Sequence, residues 1–274
     1  MGKIAQNACR SFTGDLSRYA VTDEVCVPSP RGRVHEKRYA RPALGVVLSG
    51  CFEYRAQSAS ATAVPGTIIL GNLGEQFCCR HRYAGGNRRL VVTFDGDYLE
   101  EIAAGFGLSR ARFPVTVVPP GNVSAVVFGG ICRLTQNSAD REESACELAA
   151  AALQIDQSPT TQRRVSPRNQ RRVLAVVRQL ETSYSQPCSL GELATQARLS
   201  PYYFLRIFKK VTGQSPAQYV RNARLRAAAN DLLATRYSVA EIAFSSGFND
   251  ISHFNASFRA AFGRSPTRWR SGSN

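Results

Sequence analysis

The chain has 274 residues, 43% of them hydrophobic, with 35 Lys and Arg against 20 Asp and Glu and a formal net charge of +15. That length exceeds one typical domain and fits two, each able to bury its own core, and it lies outside the class of small disulfide scaffolds. The sequence offers no secretory leader and no apolar run able to span a bilayer. Its eight cysteines lack a Cys-x-x-Cys pair or metal-ligand spacing, so a cytoplasmic protein with reduced thiols is expected, with no membrane partner.

From about Val21 to Phe94, short apolar runs alternate with turn residues, as in all-β barrels. Strands are expected at 43–49, 51–55, 67–70, 76–80 and 89–94, with Pro65-Gly66 turning the chain into the third and Gly85-Gly86-Asn87 separating the last two. His35 and His81 are the two histidines of this stretch. Without His-x-His spacing, and with only Glu36 alongside, they predict neither a metal site nor a cofactor, and no oxygenase or isomerase chemistry. Vicinal Cys78-Cys79 admits a soft-metal or redox-sensor reading, although strand cysteines are more often small buried hydrophobes.

A helix opened by Asp95 is expected to run to Gly105, followed by a last strand at 113–118 that Pro119-Pro120 stops. Two amphipathic helices follow at 123–136 and 141–154. One stripe comprises Val123, Val126, Val127, Ile131 and Leu134, and the other Cys146, Leu148, Ala149, Ala152 and Leu153. Both stripes suit packing on the strands, and the small residues of the second would also permit close approach of a second copy. Residues 157–168 read as an exposed tether, carrying Ser158, Pro159, Thr160, Thr161, Pro167 and the arginines Arg163, Arg164 and Arg168.

Charge then becomes concentrated. Residues 167–274 hold 16 basic and 5 acidic side chains, a net +11, leaving +4 for the rest. Such a surplus fits a polyanion bound through counterion release, with a merely solubilising basic face as the alternative. The same stretch contains a pattern twice. Ser189-Leu190-Gly191-Glu192-Leu193-Ala194 leads through Arg198-Leu199-Ser200 to Phe204, Phe208 and Gly213-Gln214-Ser215-Pro216. Ser238-Val239-Ala240-Glu241-Ile242-Ala243 leads through Gly247-Phe248-Asn249 to Phe254, Phe258 and Gly263-Arg264-Ser265-Pro266. Glu192 and Glu241 are 49 residues apart whereas Phe204 and Phe254 are 50 apart, so the second turn is longer by one residue.

Each copy reads as a short helix, a turn and a second helix, with small Ala194 or Ala243 allowing close crossing. Phe204, Phe208 and Val211, like Phe254, Phe258 and Ala261, fall at i, i+4 and i+7 and mark one buried stripe per second helix. Tyr202, Leu205, Arg206 and Lys209 point away from the first stripe, and Ser252, His253, Asn255 and Arg259 away from the second. Residues 217–233, rich in Ala, Leu and Arg and free of Gly and Pro, are expected to form a joining helix.

This array resembles the AraC/XylS transcription regulators over about residues 171–270. The most diagnostic part is Ile242-Ala243-Phe244-Ser245-Ser246-Gly247-Phe248-Asn249-Asp250, followed by Phe254, Phe258, Phe262-Gly263 and Ser265-Pro266. The resemblance implies an α+β chain of two domains: an N-terminal cupin-like β-barrel with trailing helices, and a C-terminal all-α unit of seven helices with two helix-turn-helix motifs. It implies a sensor and dimerisation domain over 1–156, the tether over 157–168, and a DNA-binding domain over 169–274. The implied function is non-enzymatic, sequence-specific transcription regulation on double-stranded DNA, acting with RNA polymerase, under a small-molecule effector and as a homodimer through the trailing helices.

By position, Arg206 is expected to read bases, because a guanidinium pairs bidentately with guanine O6 and N7; Tyr202 and Leu205 would flank it, and Lys209 and Lys210 would hold phosphate. The second recognition face would be Ser252, His253, Asn255 and Arg259. There the chain departs from the family, with Ala256 where members usually carry Arg. Asp250 is placed to cap that helix, and Trp269 occupies the slot that Tyr219 fills in the first copy. Two other readings compete. A cupin-type enzyme with a nucleic-acid tether needs a metal-ligand triad, and a DNA-repair methyl acceptor needs a Cys-Cys-x-x-Lys or Pro-Cys-His-Arg signature; the sequence contains neither.

Overall fold

The structure, a computed structural model, describes residues 8–12, 18–26, 36–57, 59–80, 86–135, 141–155 and 165–271. The chain divides into two compact units, one formed by residues 1–120 and 127–160 and the other by 121–126 and 161–274.

The first unit is built on antiparallel strands: β1 (Ala8–Phe12), β2 (Tyr19–Cys26), β3 (Glu36–Arg38), β4 (Ala43–Ser49), β5 (Phe52–Ala56), β6 (Ser60–Ala63), β7 (Ile68–Gly71), β8 (Gln76–Arg80), β9 (Asn87–Phe94) and β10 (Val117–Val118). Among the described residues these form two sheets, ordered β1-β2-β9-β4-β7-β10 and β3-β8-β5-β6, and no ladder closes them into a barrel. Consecutive β4 and β5 lie in different sheets, so the chain crosses at Gly50-Cys51. Val47, Phe52, Tyr54, Ala63 and Ile69 make a buried cluster contributed by both sheets, with Phe77 and Cys79 packed against it. Burying such a core side chain contributes about 1.5–3 kcal/mol, which is what holds two short sheets together.

The five strands expected from alternation are present to within two residues at each end, and β1, β2, β3 and β6 are added to them. The strand expected at 113–118 shrinks to Val117–Val118 because Asn72 takes the place of a neighbouring strand. Its Oδ1 accepts from Phe113 N at 2.8 Å and its Nδ2 donates to Phe113 O at 3.2 Å. Pro114 offers no N–H for a ladder.

Helix α1 (Gly96–Gly105) starts where Asp95 accepts from Asp97 N, and α2 (Asn122–Thr135) and α3 (Arg141–Leu153) follow. The α2 stripe is buried only from Val127 onward; Val123 and Val126 are exposed. On α3, Leu148, Ala149, Ala152 and Leu153 are buried as expected.

The second unit comprises α4 (Pro167–Ser183), α5 (Leu190–Gln196), α6 (Pro201–Thr212), α7 (Pro216–Ala234), α8 (Val239–Ser245), α9 (Ile251–Phe262) and α10 (Pro266–Ser271). Pro167 and Arg168, read as tether, open α4 instead, since Ser166 caps it and proline at the first turn removes no needed N–H; residues 157–164 of the tether lie outside the described residues. Capping boxes pair Ser189 with Glu192, Ser215 with Gln218 and Ser238 with Glu241, satisfying backbone donors that a helix start leaves open. The two halves repeat at their centres as well. Phe208 meets Tyr219 edge-on at 5.7 Å, and Phe258 meets Trp269 edge-on at the same distance. Trp269 Nε1 donates to Ala229 O at 3.1 Å, so the indole is buried with its polar end satisfied.

Candidate nucleic-acid interface

Two helix-turn-helix pairs, α5 with α6 and α8 with α9, present the second helix of each pair. Buried Ala194 and Ala243 sit at the crossings. The chain turns through positive φ at Arg198, 52°, and at Gly247, 92°. After this shared position the second turn contains Asn249 as its extra residue, and Ser200 and Asp250 occupy the N-caps of α6 and α9.

Phe204, Ile207 and Phe208 face inward on α6, and Phe254, Phe258 and Phe262 on α9. All nine residues singled out from sequence lie off these stripes. Tyr202 is 88% exposed, Arg206 and Lys209 are exposed, and Leu205 and Lys210 are half-buried. On α9, Ser252, His253, Asn255 and Arg259 are exposed, and so is Ala256. Lys209 and Lys210 stand in the last turn of α6, where the helix dipole favours cations. Asp250 Oδ1 accepts from His253 N at 2.8 Å.

Tyr203, which no motif in the sequence marks, orients Arg206. Tyr203 hydroxyl accepts from Asn169 Nδ2 at 3.0 Å, tying α6 to α4, and the Arg206 guanidinium lies over the Tyr203 ring at 5.0 Å. A cation over a fixed ring keeps fewer rotamers, so Arg206 is presented rather than free to wander. Arg224 on α7 is likewise unmarked in the sequence. Its Nε donates to Tyr184 O at 2.7 Å, its Nη1 to Gly247 O at 2.7 Å and its Nη2 to Gln186 O at 3.3 Å. Because all three acceptors are backbone carbonyls, no residue type in the sequence signals the contact.

Part of the positive surplus is spent inside the unit. Arg226 pairs with Glu181 at 3.0 Å, both side chains under 20% exposed, and Tyr219 hydroxyl donates to the same carboxylate at 2.7 Å. Arg270 donates to the Leu232 and Tyr237 carbonyls. Between α6 and α9 lies a concavity of about 710 Å³ with Leu205, Val220, Arg221 and His253 on its walls.

Among the described residues no three His, Cys, Asp or Glu side chains gather as metal ligands; His35 and His81 lie outside the described residues. Burial pushes the Cys79 thiol up to about 11, so it is a protonated side chain near neutral pH and not a ready thiolate. No helix among the described residues is long and apolar enough to cross a membrane.

A model of a helix-turn-helix domain matches residues 193–272. The XylDLEGF operon transcriptional activator of Pseudomonas putida is 24% identical over 236 residues, covering 82% of this chain and 73% of that protein. The HTH-type transcriptional activator RhaS of Pectobacterium atrosepticum is 35% identical over 98 residues, 36% of this chain and 35% of its own. Among solved structures, a transcriptional regulator with an AraC-type DNA-binding domain from Chromobacterium violaceum is 27% identical, covers 37% of this chain and 91% of that chain, and has a TM-score of 0.36.

Proposed function

The chain belongs to the AraC/XylS family of DNA-binding transcription regulators, and from that premise we propose that α6 and α9 of one subunit enter successive major grooves of a single duplex. The carrying observation is that two recognition faces, each opposite a buried phenylalanine stripe, are fixed on one compact unit whose residues 167–274 have a net charge of +11. In α7, 19 residues at about 1.5 Å each span roughly 28 Å, somewhat short of the ~34 Å between successive grooves, so the bound DNA bends toward the protein. Arg206 reads base edges from its place over Tyr203, with Tyr202 and Leu205 beside it. Lys209 and Lys210 hold phosphate, and Ser252, His253, Asn255 and Arg259 form the second contact.

In this reading residues 1–156 form the sensor and dimerisation domain, 157–166 tether it, and the helical unit from Pro167 onward binds DNA. The cupin-like assignment is supported by the two packed antiparallel sheets and the helices that follow them. A small effector acts at the first domain. Exposed Val123 and Val126 on α2 favour contact with a second copy. Cytoplasmic location, contact with RNA polymerase and the absence of catalysis follow from the regulatory role.

The test is selection of binding sites from random duplexes by the full chain, followed by salt titration. Arg206→Ala should relax preference at one position by ~1–3 kcal/mol, and Lys209→Ala should weaken every sequence alike while lowering the salt slope by about one. Equal losses on cognate and scrambled DNA for Arg206→Ala would refute its role, and failure to enrich any sequence would refute the docking itself.

A further inference from the structure

The concavity between α6 and α9 lies within the second unit, and its lining is mostly apolar. Buried Leu193 and Phe248 close its depth together with Arg224, whose guanidinium is spent on the Tyr184, Gln186 and Gly247 carbonyls. Its one acidic lining residue, Asp250, is engaged in capping α9. Arg221 stands three residues before Arg224 on α7 and is exposed, and among the described residues it makes no hydrogen bond or ion pair. The internal repeat shows that the fold does not require an arginine there: Tyr219 is matched by Trp269 in the second half, whereas Arg221 falls opposite Ser271.

A duplex that meets Leu205 on α6 and His253 on α9 at once passes over this concavity. On one side of B-DNA, two successive major grooves are separated by one minor groove, so the minor groove of the spacer faces Arg221. Its walls are deoxyribose C–H faces, which suit an apolar lining. Its floor carries acceptors and a negative potential, which suit an uncommitted guanidinium. Bending toward the protein compresses that groove, and a narrowed minor groove draws arginine in.

We infer that Arg221 enters the minor groove of the spacer and makes the chain select A·T base pairs there, at positions neither recognition helix reaches. An A·T pair shows only acceptors in the minor groove, whereas G·C adds the N2 amino donor, which opposes a cationic donor from the protein. Arginine is also more weakly hydrated than lysine and loses less on entering a narrow groove. This rests on the proposal that α6 and α9 dock in successive major grooves of one duplex, and it adds a third point of readout between them.

The experiment uses the full chain. Selection from random duplexes defines the two blocks under α6 and α9, and duplexes that keep those blocks are then compared with an A·T, a G·C and an inosine·C spacer, the last having the major groove of G·C without the N2 amino group. Expected are binding to the A·T spacer about fivefold or more tighter than to G·C, recovery of most of that difference with inosine·C, and a preference reduced to within about twofold in Arg221→Ala. If Arg221→Ala melts lower than the normal chain, Arg221→Met, which keeps the aliphatic stem, takes its place with the same expectation. A preference that persists without Arg221 assigns it to the stiffness of the duplex, a loss spread evenly over the three spacers makes Arg221 a phosphate contact, and indifference of the normal chain to the spacer removes the readout. Each of these overturns the inference while α6 and α9 remain docked. If selection enriches no block at all, the docking itself has failed and the inference falls with it.

Discussion

Arg224 Nη1 donates to Gly247 O at 2.7 Å while Nε of the same side chain donates to Tyr184 O, also at 2.7 Å. One residue of the joining helix thus fastens the turn of the second helix-turn-helix to the loop that precedes the first. A planar guanidinium satisfies several carbonyls in fixed directions, which an ammonium on a flexible stem does not. The separation of the exposed faces of α6 and α9 is therefore held by this contact as well as by the length of α7. Arg224→Met should leave each half able to bind and loosen their spacing. On operators lengthened by one base pair between the two contacted blocks, the normal chain should lose affinity by about tenfold or more, and the variant should lose appreciably less. Equal penalties in both proteins would show that α7 alone fixes the spacing.

Gly247 should be the less replaceable of the two equivalent turn residues. A Cβ there would lie 2.6 Å from Ser185 O and 2.8 Å from Ser185 Cα, both backbone atoms that cannot swing aside, at a φ of +92°. Arg198, its counterpart at φ 52°, already carries a side chain in the left-handed region. Gly247→Ala is expected to destabilise the second unit by more than ~1 kcal/mol in urea titration, whereas Arg198→Gly should change it by a few tenths at most, since relief of strain and the added freedom of the unfolded chain oppose each other. A larger loss for Arg198→Gly than for Gly247→Ala would contradict the packing described.

How far the fold was legible follows from where its determinants lie in the chain. The second unit is specified locally: the stripes of Phe204 and Phe208, the Ser189-Glu192 and Ser238-Glu241 boxes, and the matched Tyr219 and Trp269 all act within a few turns or one repeat. The first unit is specified at long range. Alternation predicts strands but not partners, so the division into two sheets and the use of Asn72 in place of a strand beside Phe113 were not visible. Arg89 reads as an ordinary outward strand arginine until its partner Glu24, 65 residues away, shows that it points inward. Arg224 was hidden for the opposite reason, because carbonyl acceptors carry no residue identity.

The capping boxes make a pH prediction. Glu192 and Glu241 accept from the backbone and side chain of Ser189 and Ser238, and these bonds hold both carboxyl groups below their ordinary value of 4.5. A carboxyl group with a depressed folded pKa contributes stability that is present above its unfolded pKa and is lost as pH falls through the folded one. Melting temperatures of the helical unit should therefore decline below about pH 4.5, and Glu192→Gln/Glu241→Gln, which keeps an acceptor but no charge, should flatten that decline while melting lower near neutrality. An unchanged pH profile in the double variant would remove the boxes as its cause.

The two recognition faces should contribute unequally to specificity. On α6 the exposed residues include Tyr202 and Arg206, the latter steadied over Tyr203, whose hydroxyl is itself bonded to Asn169. On α9 the position equivalent to Arg206 is Ala256, exposed and without a donor. Nearby His253 is already engaged at its backbone by Asp250 and packs its ring 5.9 Å from Phe248, and its Nε2 lies 3.5 Å from Ser257 Oγ, so its reach toward a base edge is limited. Asn255 and Arg259 remain as donors, one short and the other two turns from the helix start, where phosphate is the nearer target. Mismatches under the first motif should each cost ~1–3 kcal/mol and those under the second a fraction of that. Ala256→Arg should raise the penalty under the second motif toward that of the first without changing the first. Selected sites with two blocks of equal information content would refute the asymmetry, and an Ala256→Arg variant that gains affinity uniformly across sequences would show that the position faces phosphate instead of bases.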